Sequence, residues 1–166
     1  MKKSQIRILC LGNKLHGDDG IGSRVFEELC HMCWPHHIGL IDAGVGGVAL
    51  VPLFSHCDRV ILVDALLDPK RPGKIVVKQN LDLYELHEDQ PLVHGGRLDA
   101  LLSMLPSLIQ PLPRIDLFAI TAKDFSNYSN KLSPEAQRAI PELCEKLLES
   151  LEADLAQYTG HFVGAS

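Results

Sequence analysis

No apolar run in this chain reaches the ~18 residues that a membrane-crossing helix needs, so no membrane association is expected. Basic charge is also short. Lys and Arg number 16 against 21 Asp and Glu, a formal net charge of -5, which leaves no electrostatic footprint for nucleic acid. The cysteines are few and odd in number (Cys10, Cys30, Cys33, Cys57 and Cys144), unlike a secreted disulfide framework. The opening Met1-Lys2-Lys3-Ser4-Gln5 passes at once into a strand-like run, without the longer apolar stretch or small-residue cleavage site of a signal peptide. The expectation is a cytoplasmic protein. Internal repeats, low-complexity tracts and linkers are missing too, which favours one domain over an array.

What is present is the material of a folded core. At 46% apolar and 22% charged, the 166 residues are ordinary for a globular chain and too apolar for disorder. A single domain over residues 1–166 is expected, with its core between about residues 6 and 155, a frayed tail after Tyr158, and a monomeric state.

Short continuous apolar runs alternate with helical periodicity. Ile6 to Leu11 predicts a strand, followed by a polar turn from Asn13 to Asp19. Ile21, Val25, Leu29 and Met32 recur at helical spacing, predicting a helix from Ile21 to about Cys33 with Pro35 as its stop. Ile38 to Asp42 predicts a second strand leading into Ala43-Gly44-Val45-Gly46-Gly47 and a short helix to about Ser55. Arg59 to Ala65 is unbroken in aliphatic residues, as for a strand buried on both faces of a parallel sheet. A Pro72-Gly73 turn and a strand from Lys74 to Gln79 come next. Leu81 to Gly96 reads mostly as loop, Leu98 to Leu108 as helix, Ile115 to Thr121 as strand, and Ala122 to Leu132 as loop. Ser133-Pro134-Glu135 supplies an N-cap, a first-position proline and an early acid for one long final helix, with Ile140, Leu143, Leu147, Leu151 and Leu155 on its apolar face. This alternation implies a three-layer α/β/α domain, a mainly parallel twisted sheet with helices on both faces. Ligands of such sheets bind beyond the C-terminal strand ends, near a switch in strand order.

Three acids stand at those ends: Asp19, Asp42 and Asp64. Asp19 opens a helix, where unpaired N–H groups favour a carboxylate. Asp64 lies at the mouth of a buried strand and needs a cation, a metal or hydrogen-bond donors there. Asp19 and Asp64, joined by His94, make an oxygen and nitrogen donor set suited to a divalent metal with open positions. Taken singly, each carboxylate reads first as a helix cap or a strand-end hydrogen bond.

The stretch Gly12-Asn13-Lys14-Leu15-His16-Gly17-Asp18-Asp19-Gly20-Ile21-Gly22 resembles the N-terminal signature of the hydrogenase maturation proteases. Val63-Asp64-Ala65, followed by Pro72-Gly73 and a strand, is similar to that family's strand-end aspartate, and His94 before Leu98-Asp99 is similar to its metal-contacting histidine. Leu132-Ser133-Pro134-Glu135 fits the start of its final helix. The resemblance implies an endopeptidase that trims the C-terminus of a nickel-loaded hydrogenase large-subunit precursor. Asp19, Asp64 and His94 would engage the nickel, with Asp19 and Asp64 as the catalytic carboxylates. The nickel would come with the precursor, and no permanent cofactor is expected. Asp18 matches an acidic position of the signature without being expected as a ligand. His87 is the substitute should His94 not serve. The chain departs from the family in reading Asp42-Ala43-Gly44-Val45 where Asp-Gly-Gly-Thr is frequent, and in lacking Pro-Glu at Ala122-Lys123-Asp124-Phe125.

Other readings carry less. Cys30-His31-Met32-Cys33 with His36 and His37 has no second Cys-x-x-Cys pair and reads as a helix end and loop before it reads as a zinc or redox site. His16 is either a substrate contact or a solvated loop residue. Gly12-Asn13-Lys14 is not Gly-x-Gly, and two acids follow where a dinucleotide pyrophosphate needs bare N–H groups. No His-Glu-x-x-His or Gly-x-Ser-x-Gly motif is present. A non-proteolytic nickel-binding maturation chaperone is the alternative that keeps the same three ligands.

Overall fold

The computed structural model describes residues 4–84 and 97–159. Among them, β1 (Ile6–Leu11), β2 (Ile38–Gly44), β3 (Arg59–Leu67), β4 (Ile75–Lys78) and β5 (Arg114–Ala122) form one sheet in the order β2-β1-β3-β5-β4. All pairings are parallel except that of β4, which runs antiparallel to β5 at one edge. The helices are α1 (Ile21–Leu29), α2 (Arg97–Leu108), α3 (Pro134–Glu149) and α4 (Glu152–Thr159), with 3-10 segments at Gly17–Gly20 and Gly47–Phe54.

The period of two along each strand divides the core. Ile6, Ile8 and Cys10 of β1, Ile61 and Val63 of β3 and Phe118 and Ile120 of β5 meet Ile21, Val25 and Leu29 of α1 and Ile140, Leu143 and Leu147 of α3. The alternate residues Leu9, Leu11, Val60, Leu62, Leu117 and Ala119 meet Leu50 and Phe54 of the second 3-10 segment and Leu101, Leu102 and Leu105 of α2. Helices therefore cover both faces, which is why the central strands are unbroken in apolar residues. The α/β/α architecture with a mainly parallel sheet is as expected.

Two helices differ from the expectation. α1 stops at Leu29, and Met32 is exposed. The Trp34 indole N–H donates to the Leu29 carbonyl at 3.0 Å, so a side chain takes a carbonyl left open at the helix end. The long final helix is two helices, α3 and α4, parted at Ser150–Leu151. There the Arg59 guanidinium, from the first residue of β3, takes the Ser150 carbonyl at 3.0 Å and the Ser150 hydroxyl at 3.3 Å.

The order of strands fixes where a site can form. From β1 the chain moves outward to β2, then returns to the other side of β1 for β3. The switch point is thus the crevice above the C-terminal ends of β1 and β3.

Candidate functional site

Asp64 owes its exposure to unequal strand lengths. The β1–β3 ladder ends at Cys10 opposite Val63, while the β3–β5 ladder continues through Asp64 opposite Ala119 to Leu67 opposite Ala122. Asp64 is therefore the first residue of β3 beyond its β1 partner. It is half-buried, and its Oδ1 accepts the Ala65 N–H at 2.8 Å.

The space left above β1 is taken by the 3-10 turn Gly17–Gly20, which carries Asp18 and Asp19 and packs against β3. Both aspartates are 7% exposed. The Asp19 N–H donates to the His16 carbonyl at 3.1 Å, and its own carbonyl accepts the Asn13 N–H at 3.0 Å. Gly12 is obligatory beneath it: φ is +131°, and a Cβ there would stand 1.8 Å from the Asp19 carbonyl oxygen. At the start of α1, a Cβ on Gly22 would stand 1.9 Å from the Leu11 carbonyl oxygen, so glycine lets the helix start sit directly on the end of β1. The glycines of the first motif thus set the height of the Asp19 turn over the sheet.

The structure sets the turn that carries Asp19 against β3, the strand that carries Asp64. Asp42 takes another part: exposed at the end of β2, it accepts the Ser23 hydroxyl at 3.2 Å and ties β2 to α1. His94 and His87 lie outside the described residues. Among the described residues, no group of three or more His, Cys, Asp or Glu is placed to hold a metal ion. The carboxylates of Asp19 and Asp64 can supply two oxygen donors, and a third donor must come from elsewhere.

The sequence marks Asp18 only as an acid of the motif, yet its contacts are specific. Its Oδ1 accepts the Ser133 N–H and its Oδ2 the Ser133 hydroxyl, both at 2.7 Å. The loop between β5 and α3 is joined to the Asp19 turn at further points. The Gly17 N–H donates to the Ser129 carbonyl at 2.7 Å, and the Ser129 N–H to the Leu15 carbonyl at 2.9 Å. The His16 ring meets Tyr128 edge-on, with centroids 5.6 Å apart. Two surface grooves flank this seam: one of about 280 Å³ against Leu15, Ser23 and Arg24, the other of about 550 Å³ against Lys123, Asn127 and Tyr128. Sequence reasoning missed these partners because they lie more than a hundred residues from the turn; the one local sign was the N-cap serine of α3.

The cysteines supply no nucleophile here. Cys10 is buried in β1, where burial above all, with the negative charges of Asp42 and Cys144 adding to it, pushes its thiol far above the ordinary range. Cys144 is pushed up to about 11, chiefly by burial and then by Glu28. Neither forms the thiolate that attack requires. Cys30 and Cys33 are exposed, and the Cys30 thiol donates to the Glu27 carbonyl at 3.2 Å, in keeping with a helix end.

The model of the HycI family, described as hydrogenase maturation protease, matches residues 23–150, a span that includes Asp64 and begins just after Asp19. A Methanocaldococcus jannaschii protein provisionally named a hydrogenase maturation protease is 29% identical over 156 residues, 92% of this chain and 99% of that one. The Escherichia coli hydrogenase 2 maturation protease is 24% identical over 149 residues, 89% of this chain and 90% of its own length. Among solved structures, the E. coli hydrogenase maturating endopeptidase HybD matches with a TM-score of 0.75 at 23% identity, covering 90% of this chain and 93% of that one. This likeness speaks for the fold. A hydrogenase 2 maturation peptidase from a Thaumarchaeota archaeon matches with a TM-score of 0.65 at 28% identity, over 90% of this chain and 98% of that one.

Proposed function

Because the chain belongs to the hydrogenase maturation protease family and is a hydrolase of the endopeptidase kind, we propose that it removes the C-terminal peptide of a nickel-loaded hydrogenase large-subunit precursor. The nickel belongs to the substrate. Asp19 and Asp64 read its presence by offering carboxylate oxygens to its open positions, and His94, or His87 in its place, offers the third donor. An oxygen and imidazole set of this kind suits a divalent ion of the nickel class. Held in the crevice, the scissile carbonyl lies where the metal polarises it. One of the two aspartates, within hydrogen-bond reach of a water, takes its proton as general base. The reaction is assigned to the cytoplasm and to a monomer. Among the described residues no helix is long and apolar enough to cross a membrane.

The observation that carries this reading is the overrun of β3 past β1, which brings Asp64 out beside the buried turn that holds Asp19. The two grooves flanking the turn leave room for extended chain on either side.

The test is the intact mass of a cognate large-subunit precursor, nickel-loaded or nickel-free, after incubation with this protein. Loss of a C-terminal peptide from the loaded form alone is expected. Equal cutting of both forms would remove nickel sensing from the proposal. Nickel binding with no cut in any cognate precursor would leave the chaperone reading in its place.

A further inference from the structure

We infer that Asp18 is a positioning residue for Asp19, acting through Ser133 at the head of α3. The inference rests on the proposed role of Asp19 and adds how that carboxylate is aimed. A 3-10 segment of four residues has few bonds of its own and poor internal geometry. Its orientation must be set from outside. Asp18 does this with both oxygens, on the Ser133 N–H and the Ser133 hydroxyl at 2.7 Å each. Such short bonds to an ionised acceptor are among the stronger hydrogen bonds in proteins.

The partner is itself immobilised. The Ser133 hydroxyl gives its proton to Asp18 and accepts the Ala136 N–H at 3.2 Å, so its rotor is fixed by the cap of α3. Asp18 is thereby anchored to a 16-residue helix whose Ile140, Leu143 and Leu147 are buried against the sheet. With three residues per turn, neighbouring side chains of a 3-10 segment leave the axis about 120° apart. Clamping Asp18 toward α3 therefore fixes the direction in which Asp19 leaves the turn. The spacing of two adjacent acids acquires a division of labour: one holds, the other acts.

A simple tether that only stabilises the fold would show as lost stability with unchanged turnover. Positioning predicts something else. In Asp18→Asn, an amide group replaces one acceptor and faces a donor, so the clamp loosens. With the nickel-loaded precursor, kcat is expected to fall about 10- to 100-fold, since small misplacement of a reacting group costs on that order. KM is expected to rise as well, because Asp19 also contacts the substrate's nickel in the bound state, so kcat/KM falls further than kcat. Ser133→Ala should behave alike, while Ser133→Thr keeps the hydroxyl and should recover most of the rate.

A second measurement does not depend on cleavage. In ¹⁵N-labelled protein, Asp18→Asn should displace the Asp19 and Gly20 amide resonances and speed their hydrogen exchange at least about tenfold, leaving core amides such as Leu62 unchanged, as for local opening. Variants that cut at the parental kcat, a rate loss that tracks the unfolded fraction, or an unperturbed Asp19 amide would each overturn the inference. Failure of the parent protein to cut would count against the proposed function instead, and the amide measurement would still decide the positioning.

Discussion

At the scale of single residues, Asp19 and Asp64 differ in burial and support, and that difference shapes what their replacement does. Asp64 Oδ1 accepts a backbone N–H that the carbonyl oxygen of an asparagine would accept equally well. Asp19 is buried in a turn held by its own backbone bonds, which a side-chain change leaves in place. Asp19→Asn and Asp64→Asn are therefore expected to keep the circular dichroism of the parent and a Tm within about 4 °C of it, about 1 kcal/mol for a chain of this size. Precursor processing should fall at least about 100-fold, since an amide neither gives a metal a charged donor nor takes a proton from water. An unfolded variant would assign that aspartate to the fold. These two residues were legible because each stands in a local pattern, a glycine turn or a strand end. The work of Asp18 was not, since its partner Ser133 is distant in sequence. The intended third donors, His94 and His87, lie outside the described residues.

At the scale of elements, the seat of α1 on β1 decides whether the Asp19 turn exists. A Cβ at Gly22 would meet the Leu11 carbonyl oxygen at 1.9 Å and the Leu11 nitrogen at 2.6 Å. Both are backbone atoms of a strand paired on two sides, so neither can yield as a flexible side chain would. Gly22→Ala is accordingly expected to cost at least the upper end of the ~1–3 kcal/mol typical of overpacking. It should lower the midpoint of urea unfolding and also reduce processing per folded molecule, because the turn is lifted with the helix. Normal activity of the folded fraction would show that the crevice tolerates a displaced α1. Element type was readable from apolar period, and β1, β3 and β5 begin and end within about two residues of the expectation. Element ends were read less well where a side chain outside the element bonds its last carbonyls. Trp34 closes α1 four residues early, and Arg59 parts α3 from α4 although the apolar period of Leu147, Leu151 and Leu155 runs on unbroken. The antiparallel direction of β4 likewise leaves no mark on its four residues.

At the scale of the whole molecule, one end of the sheet carries the candidate site and the other a buried ion-pair cluster, and β3 spans both. Its first residue, Arg59, is paired with fully buried Asp116 of β5 at 2.7 Å; Asp64 stands five residues on, roughly 16 Å away along a strand rising about 3.3 Å per residue. Asp116 also accepts the Asn80 N–H at 2.7 Å and the Arg114 guanidinium at 3.0 Å. Burial alone would push its carboxyl up, but the Asn80 N–H, Arg114 and Arg59 together outweigh burial and hold it below the ordinary carboxylate range. A carboxyl depressed on folding contributes stability that is fully present above the unfolded value of about 3.9 and is lost as pH falls through the folded value. Asp116→Asn removes the nearer of two counter-charges from buried Arg59 and leaves the longer pairing to Asp154 at 3.5 Å, so the cost at neutral pH is expected below the ~3–5 kcal/mol typical of a fully uncompensated buried charge. Chemical denaturation from pH 7 to pH 3 should show the parent losing stability below about pH 4, while the variant, already lower, loses less over the same interval. Because the disturbance lies at the opposite end of the sheet from Asp19 and Asp64, the processing rate of the variant's folded fraction should match the parent. A variant whose folded molecules cut slowly would mean that the two ends are coupled through β3, and that the crevice depends on the ion pair at the strand's other end.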